Sequence, residues 1–264
     1  MVLEDILPVR ILENKPIYMF FLSIVITAIS VFIAHFIFPE YAGIVMPLLV
    51  TVAMSPLVYN IFTIEEETER KEAEHKINLN FMGRHGETML LFGLFFAGSF
   101  VTFFILAILL PDSFTSSIFL PQMEAISAIS DISGAAVLSG PLNLIIMNNL
   151  KVMFFAFLLS FLMGAGAIYI LSWNASILAV YLASFINRGL LSEFFNRSLG
   201  IIPHAPVEII AYFLAGMAGG ILSAGLLREH LESKEFALVF KDSLKLLALS
   251  VLAVLVGAFL EVVI

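Results

Sequence analysis

The chain has 264 residues, of which 61% are hydrophobic and 13% are charged, and its mean hydropathy is +1.05. No soluble globular domain of this size could cover so much apolar side chain, so the composition indicates an integral membrane protein and excludes soluble folds. The formal net charge is -8, much of it in one acidic run, and no nucleic-acid partner is expected. The absence of cysteine excludes disulfides, thiolate zinc sites and cysteine nucleophiles.

Seven apolar runs have about the 20 residues that a helix needs to cross about 30 Å of hydrocarbon. They predict an all-α polytopic bundle, a single transmembrane domain over residues 1–264, in the cell membrane. The predicted spans lie near residues 17–38, 42–63, 89–110, 150–172, 175–190, 205–227 and 242–263. The fifth is the shortest, which leaves a re-entrant or tilted helix as an alternative there.

The positions of lysine and arginine predict the orientation, because cytoplasmic loops retain these residues. Of the 13 basic residues, only Lys151, Arg188 and Arg197 fall on the side opposite the N-terminus. The N-terminus is therefore predicted inside and, with seven crossings, the C-terminus outside.

Two segments fall outside the predicted spans. Residues 64–88 form a charged cytoplasmic loop with Glu-first pairs at i,i+4 spacing, which predicts a solvated helix, with a partner-docking surface as the alternative. Residues 111–147 form an external segment, predicted to hold an amphipathic helix on the membrane surface and then a partial helix packed against the bundle. The stripe that predicts the surface helix consists of Met123, Ile126, Ile129 and Ile132.

Small residues four apart predict where helices pack closely, because lipid supplies no hydrophobic drive between helices. The sixth span has Gly216, Gly220 and Ala224, and the fourth has Ser160 and Gly164. The two spans are therefore predicted to be neighbours. Packing within one chain and the seam of a homodimer are both compatible with this pattern.

A few polar residues lie at membrane depth, where desolvation costs several kcal/mol unless the group is paired. Because Glu208 follows His204 by four residues, at the proline-flanked start of the sixth span, their side chains are within reach of each other. Three interpretations stay open: a structural helix cap, an ion or proton site, and a partner contact. The candidate polar cluster consists of His204, Glu208, Asn148, Asn149, Asn174 and Glu261.

Three motifs in order resemble a known family. They are "NNLKVMFFAFLLSFLMGAGAIYILSWNASILAVYL", then "GIIPHAPVEIIAYFLAGMAGG", then "DSLKLLALSVLAVLVGAFLEVVI". From Asn148 to its end the chain resembles the stage II sporulation protein M family of polytopic membrane proteins, with Ala175 and Ala205 at positions where the family commonly has glycine. The resemblance implies a membrane anchor or scaffold, which in sporulating members acts with peptidoglycan hydrolases during engulfment.

Enzyme motifs are incomplete in the sequence. His204 and Glu208 lack the second histidine of a membrane zinc protease. Residues 65–70 and 81–85 fit the Glu-Glu-x-x-x-Arg and Phe-x-x-x-His patterns of intramembrane CAAX-type proteases, but they share one hydrophilic stretch, whereas that family's motifs are far apart and lie in membrane helices. We therefore predict no catalysis, no cofactor and no metal.

The predicted function is a non-catalytic membrane scaffold or anchor. Its predicted partners are the lipid bilayer, unidentified proteins and a second copy of the chain. The alternative is an ion or small-solute channel or transporter that uses the His204 and Glu208 region.

Overall fold

The computed structural model describes residues 9–75, 81–135, 141–228, 230 and 232–263, and every regular element within them is helical. A single 3-10 turn, Pro39–Tyr41, lies between the second and third helices. The helices are α1 Val9–Asn14, α2 Ile17–Ile37, α3 Ala42–His75, α4 Phe81–Leu109, α5 Asp112–Ile118, α6 Leu120–Ala135, α7 Pro141–Met163, α8 Ala167–Asn187, α9 Leu191–Ile201, α10 Ala205–Arg228 and α11 Lys234–Val263.

Within the described residues, seven helices are long and apolar enough to cross a membrane, namely α2, α3, α4, α7, α8, α10 and α11. This confirms the predicted all-α polytopic bundle. The fifth span, α8, has 21 residues, which is enough for a full crossing of about 30 Å.

The break between the fourth and fifth spans was predicted in the wrong place. The predicted spans were 150–172 and 175–190, whereas α7 ends at Met163 and α8 begins at Ala167. Gly164 has a φ of +71°, a left-handed conformation that ends a helix and that glycine adopts without strain. Residues 141–147 are consequently the first two turns of α7 and not a separate partial helix.

The stripe on α6 has a different environment from the predicted membrane surface. Met123 and Ile126 pack against a buried apolar cluster, and the fully buried Gln122 donates through Nε2 to the Gly43 carbonyl at 2.9 Å and to Ser176 Oγ at 3.2 Å. The first turns of α6 therefore pack into the bundle. The side chains of residues 129–135 lie outside the described part of the chain.

The spans form two groups that share α3. One group is α7, α10 and α11, the other is α2, α4 and α8, and α3 contacts members of both. In the most apolar stretch of α10, 72% of the residues are buried, compared with 22% of those in α7 and 28% of those in α11. Thus α10 is the central helix of its group, and α7 and α11 turn most of their surface outward.

Successive spans run in opposite directions, so the bundle has two ends. The Glu208 end holds the start of α10 and the finish of α11. The Asp242 end holds the finish of α3, the start of α4 and the start of α11. The polar contacts described below lie at these two ends.

The predicted orientation can be tested with single cysteines, since the native chain has none. Ser116 and Glu193 are exposed on α5 and α9, and Lys234 is exposed at the start of α11. We expect an impermeant thiol reagent applied outside intact cells to label Ser116→Cys and Glu193→Cys but not Lys234→Cys until the membrane is permeabilised. The reverse labelling pattern would overturn the N-inside orientation.

Candidate functional site

A carboxyl pair lies at the Glu208 end. Glu208, in the first turn of α10, accepts a hydrogen bond at Oε1 from Asn149 Nδ2 on α7 at 2.6 Å, and its carboxyl group lies beside that of Glu261 on α11. The Tyr212 hydroxyl donates to Asn149 Oδ1 at 2.9 Å. These four side chains, here called the Glu208 cluster, join α7, α10 and α11.

The helix sequences explain why the cluster forms. Glu208 and Tyr212 are four residues apart, so both side chains project from the same face of α10. On α11, a Cβ at Gly257 would come within 2.6 Å of Glu208 Cγ, so only glycine allows the close approach. Glu261 follows Gly257 by one helical turn and so reaches the same place.

Two neighbouring carboxyl groups can hydrogen-bond each other only when one of them carries a proton, because a carboxylate has no donor of its own. Asn149, which is 6% exposed, uses both ends of its amide, one toward Glu208 and one toward Tyr212. The cluster can hold a proton, and it offers oxygen atoms of the kind that small cations prefer.

The structure brings together three of the six predicted polar residues, Asn149, Glu208 and Glu261. Tyr212 was missed, although its i,i+4 relation to Glu208 was a signal in the sequence.

The other three predicted residues lie outside the cluster. Asn148 is exposed and donates to Asn149 Oδ1 at 3.4 Å, and Asn174 donates to the Ile170 carbonyl of its own helix at 2.7 Å. His204 accepts at its backbone carbonyl from the Val207 and Glu208 amides, at 3.0 and 3.1 Å. Among the described residues its side chain has no hydrogen-bonding or ion-pair partner, so Glu208 pairs across helices and not with His204.

The predicted seam residues face other helices of the same chain. A Cβ added at Gly216 would overlap Ala167, and one added at Gly220 would overlap the Phe62 ring. Ser160 Oγ accepts a hydrogen bond from the Ala167 amide at 2.7 Å across the turn at Gly164, and Ala224 is buried. A Cβ at Gly219 would overlap the backbone of α7 at the Phe157 carbonyl.

A second polar cluster lies at the Asp242 end. The His85 ring, 2% exposed, lies between two carboxylates, with Nδ1 at Glu65 Oε1 and Nε2 at Asp242 Oδ2, 3.1 Å away. Thr88 donates to the other oxygen of Glu65, and Lys245 Nζ donates to Asp242 Oδ1 at 3.1 Å. This His85 cluster joins α3, α4 and α11.

The interpretation of residues 64–88 as one hydrophilic stretch was wrong for its two ends. Glu65 lies within α3, which continues to His75, and His85 lies in the second turn of α4. Both are buried, and α11 brings Asp242 against His85. No local pattern predicts this contact, because Asp242 is 157 residues from His85 in the chain.

An ion pair beside the His85 cluster ties α10 to α3. The Arg228 guanidinium, at the finish of α10, lies 3.2 Å from Glu66 Oε2 and 2.8 Å from Glu67 Oε1. Glu66 is fully buried. Across residues 9–75, 81–135, 141–228, 230 and 232–263, no three His, Asp or Glu side chains are arranged to hold a metal ion.

A sequence profile described as stage II sporulation protein M matches residues 88–264. The chain belongs to this family. The match starts 60 residues before Asn148, where the sequence resemblance began, so the family region also includes most of α4 as well as α5 and α6. No curated protein and no solved structure matched the chain in the corresponding comparisons.

The two clusters differ in how many of their residues lie inside the family region. All four residues of the Glu208 cluster lie inside residues 88–264. In the His85 cluster Asp242 lies inside the region, whereas Glu65 and His85 precede it. In this stage II sporulation protein M family member, residues that precede the matched region thus supply part of the second cluster.

Proposed function

We propose that this family member is a non-catalytic scaffold or anchor of the cell membrane that holds partner proteins at a fixed position. The observation that carries the proposal is the way α10 is held along its whole length. Gly216, Gly219 and Gly220 bring it against α8, the α7 backbone and the Phe62 ring, at distances that leave no room for a Cβ.

Both ends of α10 are tied as well. The Glu208 cluster connects its first turn to α7 and α11, and Arg228 connects its last turn to α3. A helix with backbone-level contacts and polar ties at both ends cannot slide or rotate without breaking several of them at once. A fixed framework of this kind suits a scaffold better than a transport element that must move.

The His85 cluster supports a non-catalytic role. A general base needs a free lone pair within reach of the proton that it takes. Both ring nitrogens of His85 are engaged by carboxylates, and both oxygens of Glu65 are engaged by His85 and Thr88. In this arrangement the cluster connects helices and leaves no group free to activate water.

For protein partners, the outward faces of α7 and α11 are the proposed contact surfaces. Their exposed aromatic residues include Phe154 at 52%, Phe155 at 50% and Phe259 at 57%. Because the small-residue rows are used within the chain, a homodimer would form through these Phe-rich faces and not through a glycine seam.

Cross-linking in native membranes tests the scaffold proposal. We expect the 29.1 kDa chain to migrate on native gels as a larger complex that contains a second protein or a second copy. Phe155→Leu should weaken that complex while preserving thermal stability, because leucine suits lipid as well as phenylalanine does but loses the shape of a protein contact. A chain that stays monomeric in its native membrane would contradict the proposal.

Transport is a second candidate, and the Glu208–Glu261 pair is the observation that favours it. Carboxyl groups inside membrane spans are costly, and they recur in proton and cation pathways. A structural clamp would need only one carboxyl to bond Asn149, whereas a proton site would use both. The flux of the wild-type protein decides between the two functions.

A further inference from the structure

The short helix α9, Leu191–Ile201, lies between the spans α8 and α10 and exposes one apolar face. The exposed fractions along this face are 57% for Leu191, 61% for Phe195, 66% for Leu199 and 61% for Ile202, the residue that caps the helix. At about 100° per residue these four side chains fall within an arc of about 80°.

The other residues of α9 form two further faces. A polar face of exposed residues lies on the side facing away from the apolar arc. The third face is half-buried against the bundle, and on it the Phe194 ring stacks on Phe104 of α4 with centroids 6.0 Å apart. The residues of the polar face are Ser192, Glu193, Asn196, Arg197 and Gly200.

The position of α9 follows from its neighbours. The helix has 11 residues, about 16 Å of length, which is too short to cross a bilayer. Since α8 ends and α10 begins at the Glu208 end of the bundle, α9 lies at the membrane surface. A helix with an apolar face, a polar face and this location has the features of an interfacial helix.

Two arginines give this surface a preference for negatively charged groups. Arg188 caps the finish of α8, and Arg197 lies on the polar face of α9. Both are exposed, and within the described part of the chain neither guanidinium has a hydrogen-bonding or ion-pair partner. Guanidinium groups bind phosphate with two parallel hydrogen bonds, and the only acidic residue on α9 is Glu193.

We infer that α9 is a binding site for anionic phospholipid. Its apolar face lies at the boundary of the acyl chains, and Arg197 and Arg188 bind the headgroup phosphate. This lipid site is independent of the scaffold proposal, because it needs only α9 and the end of α8. Neither the family match nor the two polar clusters indicate this lipid site.

Depth-dependent fluorescence quenching tests the position of α9. Trp173 is the only tryptophan, so Trp173→Phe gives a silent background for the full-length chain. In that background, Phe195→Trp reports the apolar face, and Asn196→Trp, one residue away on the polar face, is the matched control. In vesicles of phosphatidylcholine brominated close to the headgroup, we expect quenching at position 195 to be several-fold stronger than at 196.

Equal quenching at both positions would overturn the inference. A blue-shifted emission at position 195 without quenching would also overturn it, since it would mean that protein covers the face. Unchanged thermal unfolding of both variants in detergent checks that the fold is intact. These results do not depend on partner proteins, so they distinguish a failure of the lipid site from a failure of the scaffold proposal.

The headgroup preference has its own measurement. Brominated phosphatidylglycerol, added as a minor component to unlabelled phosphatidylcholine, should quench the tryptophan at position 195 more than its mole fraction predicts. Arg197→Gln in the same background should reduce that excess at least twofold, whereas Ser192→Gln should leave it unchanged. If the protein that keeps Arg197 is quenched only in proportion to the mole fraction of phosphatidylglycerol, α9 does not select anionic lipid.

Discussion

Gly219→Ala is expected to destabilise the protein by about 1 to 3 kcal/mol, with the upper end favoured. The added methyl group would overlap the Phe157 carbonyl and approach the Phe161 amide at 2.9 Å, and both belong to the backbone of α7. A backbone cannot rotate away as a side chain can, so α7 and α10 would have to separate. Thermal unfolding in detergent measures the loss.

Two other glycines provide the comparison. At Gly93 on α4 a Cβ would meet only the Phe213 ring edge at 3.8 Å, so Gly93→Ala should gain about 0.5 to 1 kcal/mol from the better helix propensity of alanine. Gly220→Ala should fall between the two, because its obstacle is the Phe62 ring. A stability of Gly219→Ala equal to that of Gly93→Ala would mean that α7 and α10 are not packed as described.

Glu208→Leu is expected to produce the second large loss, of about 1 to 3 kcal/mol. Leucine leaves the buried Asn149 amide without its acceptor and removes the carboxyl group that lies beside Glu261. Glu208→Gln keeps an oxygen for Asn149 and gains an amide that donates to Glu261, so it should cost less than about 1 kcal/mol. Thermal unfolding of both variants beside wild type measures the difference.

The same Glu208→Gln variant separates the two candidate functions. Proton and cation flux into liposomes should be absent from the wild-type protein if it is a scaffold, and the variant should then form the native complex normally. Robust wild-type flux that Glu208→Gln abolishes, with the fold preserved, would overturn the scaffold proposal and establish transport. Asn174→Gln is a useful control because it keeps an amide, and the hydrogen bond of Asn174 to the Ile170 carbonyl lies within its own helix.

The class of the fold was predictable because it depends on local composition. Runs of about 20 apolar residues determine a transmembrane helix almost alone, since a backbone in lipid must satisfy its own hydrogen bonds. The exact break between α7 and α8 was not predictable in this way. The sequence there is apolar on both sides, and the turn depends on which of the closely spaced small residues adopts the positive φ of Gly164.

The polar clusters show where sequence patterns stop being informative. Glu208 and Tyr212 share a helix face, and periodicity is sufficient to relate them. Asn149 and Asp242 belong to their clusters because helices far apart in the chain pack side by side. Single-sequence periodicity contains no information on such packing, so the His85 cluster was missed, whereas three of the four residues of the Glu208 cluster were among the predicted polar residues.

The helix α11 has two carboxyl groups that belong to polar clusters, Asp242 in its third turn and Glu261 in its last turn. Asp242 and Glu261 are 19 residues apart, which is about 28 Å along a helix. Because each is bound to other helices, α11 cannot tilt freely to bury more or less of itself. This arrangement favours one hydrophobic thickness, and we expect a thicker bilayer to thin around the protein at a cost for each ångström of mismatch. Such a protein should concentrate in those regions of a membrane whose thickness matches this length.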